Sequence, residues 1–283
     1  MIKLLATDLD GTLFYPKRKI TLMTRKNAKF LKDFYNAGGK VMLVTGRNYN
    51  IASKVEKKLG IPIAIVGCNG SFVYENGKYV ETYPMDNQKV LKLYNEMKNK
   101  YGTNVWIVYD ETDALKITVH FGGKFIQSLA KIGNKFNFAY AEKNVAGEKA
   151  FIDALTNGKL FKLMPVFGLK KDANEKMKMA GIALNDLYED DFTIVGQKNA
   201  MEITAKGVNK AKSLEEYLRI NNISKDEVAV IGDSENDLVM FDSFNNSFCI
   251  SHAEEDIKKR AKHIVDSVSD LRDYLLDDKG NLK

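Results

Sequence analysis

The chain has 283 residues, of which 45% are hydrophobic, and a length of this order favours about two globular domains. No apolar run approaches the roughly 18 residues that a membrane helix needs, and the N-terminus enters a strand without the apolar segment of a secretory signal, so we expect a cytoplasmic protein. Two cysteines, three scattered histidines and a net charge of +6 argue against a disulfide framework, a zinc cluster, a His-based catalytic pair and a nucleic-acid-binding surface.

The first 83 residues alternate between strand and helix patterns. Buried strands are predicted over residues 2–6, 40–44 and 61–66, helices over 21–37 and 49–59, and a hairpin over 72–83. Strands that alternate with helices are typical of a doubly wound parallel sheet.

The pattern changes in the middle of the chain. Helices are predicted over residues 86–100, 124–136 and 172–181, and strands over 104–109, 115–121, 160–167, 192–195 and 200–203. Residues 137–158 carry no clear pattern. Helices mixed with mainly antiparallel strands indicate a separate α+β domain that is inserted into the sheet domain.

The last part of the chain returns to the first pattern. It predicts helices over residues 209–220, 253–262 and 268–276, and strands over 228–231, 247–250 and 263–265. We therefore predict an α/β fold. Residues 1–83 and 196–283 form a doubly wound parallel-sheet core, and residues 84–195 form the inserted α+β domain.

Two carboxylates, Asp8 and Asp10, follow the first predicted strand and precede Gly11. Alternate residues of an extended chain point the same way, so both can address one point at the carboxyl end of the strand, where ligands of open α/β sheets gather. Adjacent carboxylates repel unless a cation lies between them or one is protonated. The pair indicates a hard-metal site with a carboxylate nucleophile, although an ordinary polar Asp-Gly turn has the same sequence.

Two other predicted strands also end in polar residues. Thr45-Gly46 can hold a phosphate through a hydroxyl and backbone amides, or can simply cap a helix. Asp233 and Asp237 follow the strand over 228–231. They can bind a hard cation through oxygen, or can serve as the acidic first turn of a helix.

Lys206 and Lys210 precede or begin the predicted helix over 209–220. A lysine here can neutralise a carboxylate nucleophile and bind a phosphate, or can face solvent as most lysines do. Carboxylates from two strand ends, a Thr-Gly turn and a lysine together suit phosphoryl transfer with Mg²⁺.

At these positions the chain resembles the haloacid dehalogenase-like (HAD) hydrolase superfamily, and its Cof-type class IIB phosphatases in particular. Four segments resemble the family's motifs in order and spacing: Asp8-Leu9-Asp10-Gly11-Thr12, Thr45-Gly46-Arg47, Gly207-Val208-Asn209-Lys210 and Gly232-Asp233-Ser234-Glu235-Asn236-Asp237. Asn69-Gly70 matches a further family element. The resemblance favours Lys210 over Lys206, and it implies a Rossmann-like core with the inserted domain as a cap.

The resemblance implies Mg²⁺-dependent hydrolysis of small phosphomonoesters, such as sugar phosphates or phosphorylated cofactors, through an aspartyl-phosphate. It implies that Asp8 is the nucleophile and Asp10 the general acid and base. It assigns the Mg²⁺ to Asp8, Asp10 through its carbonyl, and Asp233, while Asp237 orients bound waters or Lys210 from behind these ligands. It assigns the phosphate to Thr45, Gly46, Asn69, Lys210 and Asn236.

Two other functions stay open, a phosphosugar mutase of the same superfamily and a non-catalytic sensor of a phosphate ligand. The cap should select the substrate, and Trp106, Tyr109 and His120 are candidate contacts there, although aromatic side chains on strands more often serve packing. The expected partner is a small phosphorylated metabolite, with no nucleic acid and no membrane. We expect a monomer or a weak homodimer.

Overall fold

The structure is a computed structural model that describes residues 1–17, 21–101, 103, 105–119, 142–168, 172–197 and 199–283. The chain divides into two compact units. The first unit contains Met1–Thr82 and Asn209–Lys283, and the second contains Tyr83–Val208. Within the described ranges, no helix is both long and apolar enough to cross a membrane.

The strands and helices alternate in the first unit and are mixed in the second. The strands are β1 Leu4–Thr7, β2 Lys40–Val44, β3 Ala64–Gly67, β4 Phe72–Glu75, β5 Lys78–Thr82, β6 Val105–Tyr109, β7 Leu115–Val119, β8 Asn144–Ala146, β9 Lys162–Val166, β10 Phe192–Gln197, β11 Ala200–Ala205, β12 Val228–Gly232, β13 Asn246–Ile250 and β14 His263–Val265. The helices are α1 Arg25–Asn36, α2 Asn50–Leu59, α3 Asn87–Lys100, α4 Glu148–Asn157, α5 Ala173–Tyr188, α6 Lys210–Asn221, α7 Leu238–Ser243, α8 Glu255–Lys258 and α9 Arg272–Leu275.

The first unit is built on an eight-stranded sheet in the order β14-β13-β12-β1-β2-β3-β4-β5. β1 lies near its centre and pairs in parallel with β12 on one side and β2 on the other. All four residues of β1 are buried, as expected for a strand that is covered on both faces of a parallel sheet. The β4–β5 hairpin is antiparallel and turns through Asn76 and Gly77, both with positive φ.

The second unit contains a six-stranded sheet in the order β10-β11-β9-β6-β7-β8. Its strands are mainly antiparallel, as expected, and only β7 and β8 run parallel among the described pairs. One sheet face packs against α3, α4 and α5 through a core that includes Trp106, Phe151, Leu163 and Met201. The predicted fold class, a parallel-sheet α/β unit with an inserted α+β unit, is confirmed.

The inserted unit ends later than the sequence pattern predicts. Residues 196–208 are expected in the core, but β11 pairs with β9 and β10, so this segment belongs to the second sheet. The chain re-enters the first unit at Asn209. A short strand pattern does not specify which sheet the strand joins, because cross-strand packing decides this.

Several helix limits also differ from the prediction. α1 begins at Arg25, because the Thr24 hydroxyl caps it by accepting from the N–H of Asn27. α5 continues through Gly181 to Tyr188, and the helix expected over 253–262 shortens to α8. The unpatterned residues 137–158 contain β8 and α4 in their described part, whereas the helix expected over 124–136 lies outside the described residues.

The parallel register brings distant segments to one edge of the first sheet. The carboxyl ends of β1, β2, β3 and β12 lie at that edge, immediately before or close to Asp8, Thr45, Asn69 and Asp233. Open α/β sheets bind their ligands at this edge. The sheet therefore accounts for the meeting of residues that are more than 200 positions apart in the chain.

Candidate active site

Asp8 lies at the carboxyl end of β1 and is buried, with 5% of the residue exposed. Its N–H donates to the carbonyl of Ile231 on β12, at 2.9 Å, and its carbonyl accepts from the N–H of Leu13, at 3.2 Å. These two bonds fix the backbone on both sides of the carboxylate. The side chain is thereby held at the edge between β1 and β12.

The turn after Asp8 is shaped to accept Asp233. Gly11 has a φ of +92°, and a Cβ on this residue would lie 2.1 Å from Oδ2 of Asp233. The hydroxyl of Thr12 donates to Oδ1 of Asp233, at 2.6 Å. Glycine is therefore required at position 11 both by the backbone conformation and by the approach of a carboxylate.

Lys210 joins the nucleophile candidate to the segment after β12. Its Nζ donates to Oδ1 of Asp8 and Oδ1 of Asp237, both at 2.7 Å, and to Oδ1 of Asn236, at 3.1 Å. Only 1% of the lysine side chain is exposed. The lysine that contacts Asp8 is therefore Lys210 rather than Lys206, in agreement with the predicted preference.

The start of α6 is fixed in place by close backbone contacts. The side chain of Asn209 caps the helix by accepting from the N–H of Lys212, at 2.8 Å. The hydroxyl of Ser213 donates to the carbonyl of Gly70, and a Cβ on Gly70 would lie 2.2 Å from the carbonyl oxygen of Asn209. Gly70 thus allows the helix start, and Lys210 with it, to approach the loop after β3.

Asp237 is fully buried and engages both of its oxygens. Oδ1 accepts from Lys210, and Oδ2 accepts from the backbone N–H groups of Asp233 and Ser234, at 2.9 and 3.0 Å. A Cβ on Gly232 would lie 2.3 Å from Cγ of Asp237. Asp237 therefore orients Lys210 and shapes the loop that carries Asp233.

Burial dominates the electrostatics of these groups. It raises the pKa of Asp8 to about 8, although the Lys210 ammonium acts against this shift. Burial also raises the pKa of Asp233, partly offset by the hydrogen bond from Thr12. For Lys210, burial alone would lower the pKa, but the charges of Asp237 and Asp8 outweigh it and raise the pKa above its ordinary value.

The three carboxylates fit a divalent cation. One oxygen each from Asp8, Asp233 and Asp237 lie within 4.8 Å of one another. Three ionised carboxylates so close together repel, and the single charge of Lys210 leaves an excess of negative charge. Carboxylate oxygens are the ligands of hard ions such as Mg²⁺, so the donor set matches the predicted metal.

The predicted phosphate-binding residues lie beside this cluster. Thr45 is buried, and its hydroxyl accepts from the N–H of Arg47, at 3.3 Å. Asn69 has a left-handed backbone with φ of 60°, its N–H donates to the carbonyl of Thr45, and its Oδ1 accepts from Nδ2 of Asn236, at 3.3 Å. Asn236 also accepts from Lys210, so hydrogen bonds connect Thr45 to Lys210 across the site.

Asp10 differs from Asp8, Asp233 and Asp237 because its side chain is largely exposed. It is 52% exposed, and Arg47 holds both oxygens: Nε donates to Oδ2 at 2.5 Å and Nη2 donates to Oδ1 at 2.8 Å. The predicted site residues omit Arg47. Its position directly after Thr45-Gly46 is the signal that could have revealed it, because a guanidinium suits paired recognition of a carboxylate or phosphate.

Lys206, the other candidate lysine, and the candidate substrate contacts Trp106 and Tyr109 lie in the second unit. Lys206 donates to a backbone carbonyl of that unit. Trp106 is fully buried in the core of that unit and therefore packs rather than faces a ligand. Tyr109 points to the opposite sheet face, where Nζ of Lys162 lies 4.3 Å from its ring centre. His120 lies outside the described residues.

Comparisons with known proteins show the family and the fold of the chain. The model of the family described as haloacid dehalogenase-like hydrolase matches residues 5–272. The chain is similar in structure to a haloacid dehalogenase-like hydrolase from Bacteroides thetaiotaomicron, with a TM-score of 0.79, 21% identity, and coverage of 98% of this chain and 100% of that one.

Two relatives in sequence are phosphatases with different substrates in their names. One is 5-amino-6-(5-phospho-D-ribitylamino)uracil phosphatase YcsE from Bacillus subtilis, 22% identical over 94% of this chain and 90% of the relative. The other is phosphoglycolate phosphatase from Methanobrevibacter smithii, 25% identical over 93% of this chain and 92% of the relative. Both alignments span nearly the whole of each protein.

Substituting Gly11 by alanine should abolish Mg²⁺ binding, because the new methyl group would displace the Asp233 carboxylate. Gly38→Ala is the matched control, since Gly38 also has a positive φ, of +99°, but a Cβ there meets no atom within 4 Å. Both variants place an alanine at a similar positive φ, which costs more than about 1 kcal/mol of backbone strain in each. Calorimetric titration with Mg²⁺ measures the difference, and equal affinities in the two variants would contradict the assigned role of Gly11.

Mg²⁺ should stabilise the protein more at about pH 8 than at about pH 5.5. The pKa of Asp8 in the metal-free folded protein lies above its unfolded value, so stability from this group is complete at low pH and is lost as the pH rises towards about 8. A divalent cation that takes the place of the proton offsets this loss. The measurement is the Mg²⁺-induced rise in unfolding temperature, with Asp233→Asn as the control; a rise that does not vary with pH would contradict the prediction.

Proposed function

The chain belongs to the haloacid dehalogenase-like hydrolase family, as its motifs predict, and we propose that it is a Mg²⁺-dependent phosphatase. Its substrates are small phosphomonoesters, such as sugar phosphates or phosphorylated cofactors, and the reaction passes through an aspartyl-phosphate on Asp8. The observation that carries this proposal is the buried Asp8 carboxylate, held 2.7 Å from Lys210 and beside two further carboxylates. The phosphatase names of relatives that align along nearly the whole chain support it.

In the first step Asp8 attacks phosphorus. A bond forms between an Asp8 carboxylate oxygen and phosphorus, and the bond from phosphorus to the ester oxygen breaks. Asp10 gives its proton to the departing alkoxide, which leaves as an alcohol. Asp8 suits the first role because Lys210 contacts Oδ1 and none of the described residues donates to Oδ2. Asp10 suits the second because its half-exposed carboxyl can meet a leaving group.

In the second step water releases the phosphate. Asp10, now ionised, takes a proton from a water molecule whose oxygen attacks phosphorus. The bond between phosphorus and Asp8 breaks, inorganic phosphate departs and the Asp8 carboxylate is restored. Arg47 holds both Asp10 oxygens in the structure, so it can orient this carboxyl between the two proton transfers.

The remaining residues bind the phosphoryl group. Lys210 supplies positive charge, and Thr45, Asn69 and Asn236 supply a hydroxyl and amides from three loops at the same sheet edge, with the backbone of Gly46 beside them. Asp8, Asp10 through its carbonyl, and Asp233 would hold Mg²⁺, with Asp237 behind them. When bound, this ion neutralises charge on the phosphoryl oxygens.

The leaving group is expected to be recognised outside this cluster. The residues above engage the phosphoryl group and, through Asp10, the ester oxygen, but not the rest of the leaving group. The two relatives named for different phosphomonoesters align along nearly the whole chain. We therefore assign selectivity to the inserted unit, Tyr83–Val208. A screen of phosphorylated metabolites with Mg²⁺, in which released phosphate is measured, would identify the preferred substrates.

Asp8→Asn should lower the turnover of an aryl phosphate by at least about a thousandfold, because the amide is not a nucleophile. The matched control is Asp256→Asn, since the Asp256 side chain is 92% exposed and lies on the surface. Released phosphate and trapping of the phosphorylated protein after rapid quenching measure the effect. Unchanged turnover in Asp8→Asn would overturn the mechanism.

Asp10→Asn should slow alkyl phosphates far more than aryl phosphates. Loss of a general acid costs about 10²–10⁴ in rate when the leaving group needs a proton, and an aryl oxide needs one less. The value of kcat/KM reports the phosphorylation step and so isolates this effect from the later hydrolysis. Equal losses for both substrate types would contradict the acid role of Asp10.

The same assays separate the alternative functions. A mutase would need a bisphosphate activator and would return a phosphorylated sugar rather than inorganic phosphate. A sensor would bind the phosphorylated ligand without releasing phosphate.

A further inference from the structure

His252 faces the Asp233 carboxylate from the turn after β13, a segment that carries none of the predicted motifs. It lies in the turn after β13, which is fixed by the N–H of Ser251 donating to the carbonyl of Val265 and by that of Ala253 donating to Ile250. Nε2 of His252 lies 3.5 Å from Oδ2 of Asp233. The imidazole is 32% exposed, so its position is not explained by packing into a buried core.

Tyr15 holds the imidazole in this position. The two rings are stacked, with centres 3.9 Å apart and planes inclined by 27°. Tyr15 follows the turn that contains Asp10, and its N–H donates to the carbonyl of Thr12, at 3.2 Å. The ring pair therefore connects the turn after β1 to the turn after β13. Asp233, which follows β12 between these two strands, lies beside the imidazole.

Each oxygen of Asp233 faces a polar partner. Oδ1 accepts from the hydroxyl of Thr12, and Oδ2 faces the imidazole of His252. At 3.5 Å the second contact is longer than a hydrogen bond, so it acts through the attraction of a ring N–H for the carboxylate. Carboxylate ligands of metals depend on such outer partners, whose loss typically weakens metal affinity about 10–100-fold.

We propose that His252, stacked on Tyr15, is a positioning residue that orients the Asp233 carboxylate for the divalent cation. This inference rests on the metal site of the proposed function. His252 does not belong to the group of described residues whose ligand atoms lie within 4.8 Å of one another, which is formed by Asp8, Asp233 and Asp237. It acts through Asp233, so its loss weakens cation binding and leaves turnover at saturating cation intact.

The test is calorimetric titration of Mg²⁺ into the full-length, metal-free protein without substrate. His252→Phe keeps an aromatic ring against Tyr15 but removes the N–H, and its Kd for Mg²⁺ should rise about tenfold or more. His252→Asn keeps a donor and should recover part of the affinity. Tyr15→Phe keeps the stacked ring and should bind Mg²⁺ as the wild type does.

Two further readouts distinguish positioning from a general packing role. The unfolding temperature of metal-free His252→Phe should equal that of the wild type. With substrate, its Mg²⁺ activation constant should rise while kcat at saturating Mg²⁺ stays unchanged. A wild-type Kd in His252→Phe would overturn the inference, as would a loss of affinity accompanied by an equal loss of metal-free stability.

Asp233→Asn separates this inference from the proposed function. If Asp233→Asn loses Mg²⁺ binding and His252→Phe does not, only the role of His252 is overturned. If Asp233→Asn binds Mg²⁺ as the wild type does, the metal site itself is wrong.

Discussion

The contact on which the site depends is the buried ammonium of Lys210 between Asp8 and Asp237. Removal of a charged group from water costs several kcal/mol, and only close opposite charges compensate for it. Both carboxylates meet the ammonium at 2.7 Å, and each of them would be an unpaired buried charge without it. Loss of any one of these partners would destabilise the first unit by leaving a buried charge uncompensated, and the same contact presents Asp8 to a ligand.

Close approach around this contact is made possible by three glycines that lack side chains where the loops meet. Gly11 makes room for Asp233, Gly70 for the backbone of Asn209 and Gly232 for Asp237. A larger residue would force the Asp233 side chain, the Asn209 backbone or the Asp237 side chain, respectively, to move. These glycines thus set the distances between charged groups. Gly11 and Gly70 also adopt a positive φ, which glycine allows without strain.

The sequence was sufficient to predict the parallel sheet and most of the cluster, because continuous apolar strands and polar residues at their ends are local signals. Asp8 and Asp233 come together as those signals imply, and Lys210 joins them as the resemblance to the family implies. The engagement of Asp10 by Arg47 was not predicted, since a side chain's partner depends on tertiary structure. The same reason explains the late boundary at Asn209, where pairing of β11 with β9 overrides the local pattern.

The return of the chain at Asn209 has a consequence for recombination between family members. The carbonyl of this residue rests against Gly70, and the next residue in the chain is Lys210. A chimaera that exchanges the inserted unit should therefore be spliced before Asn209, so that Asn209 and Lys210 stay with the first unit. An insertion or deletion between Asn209 and Lys210 would shift the register of the ammonium that neutralises the nucleophile, however well the foreign cap folded.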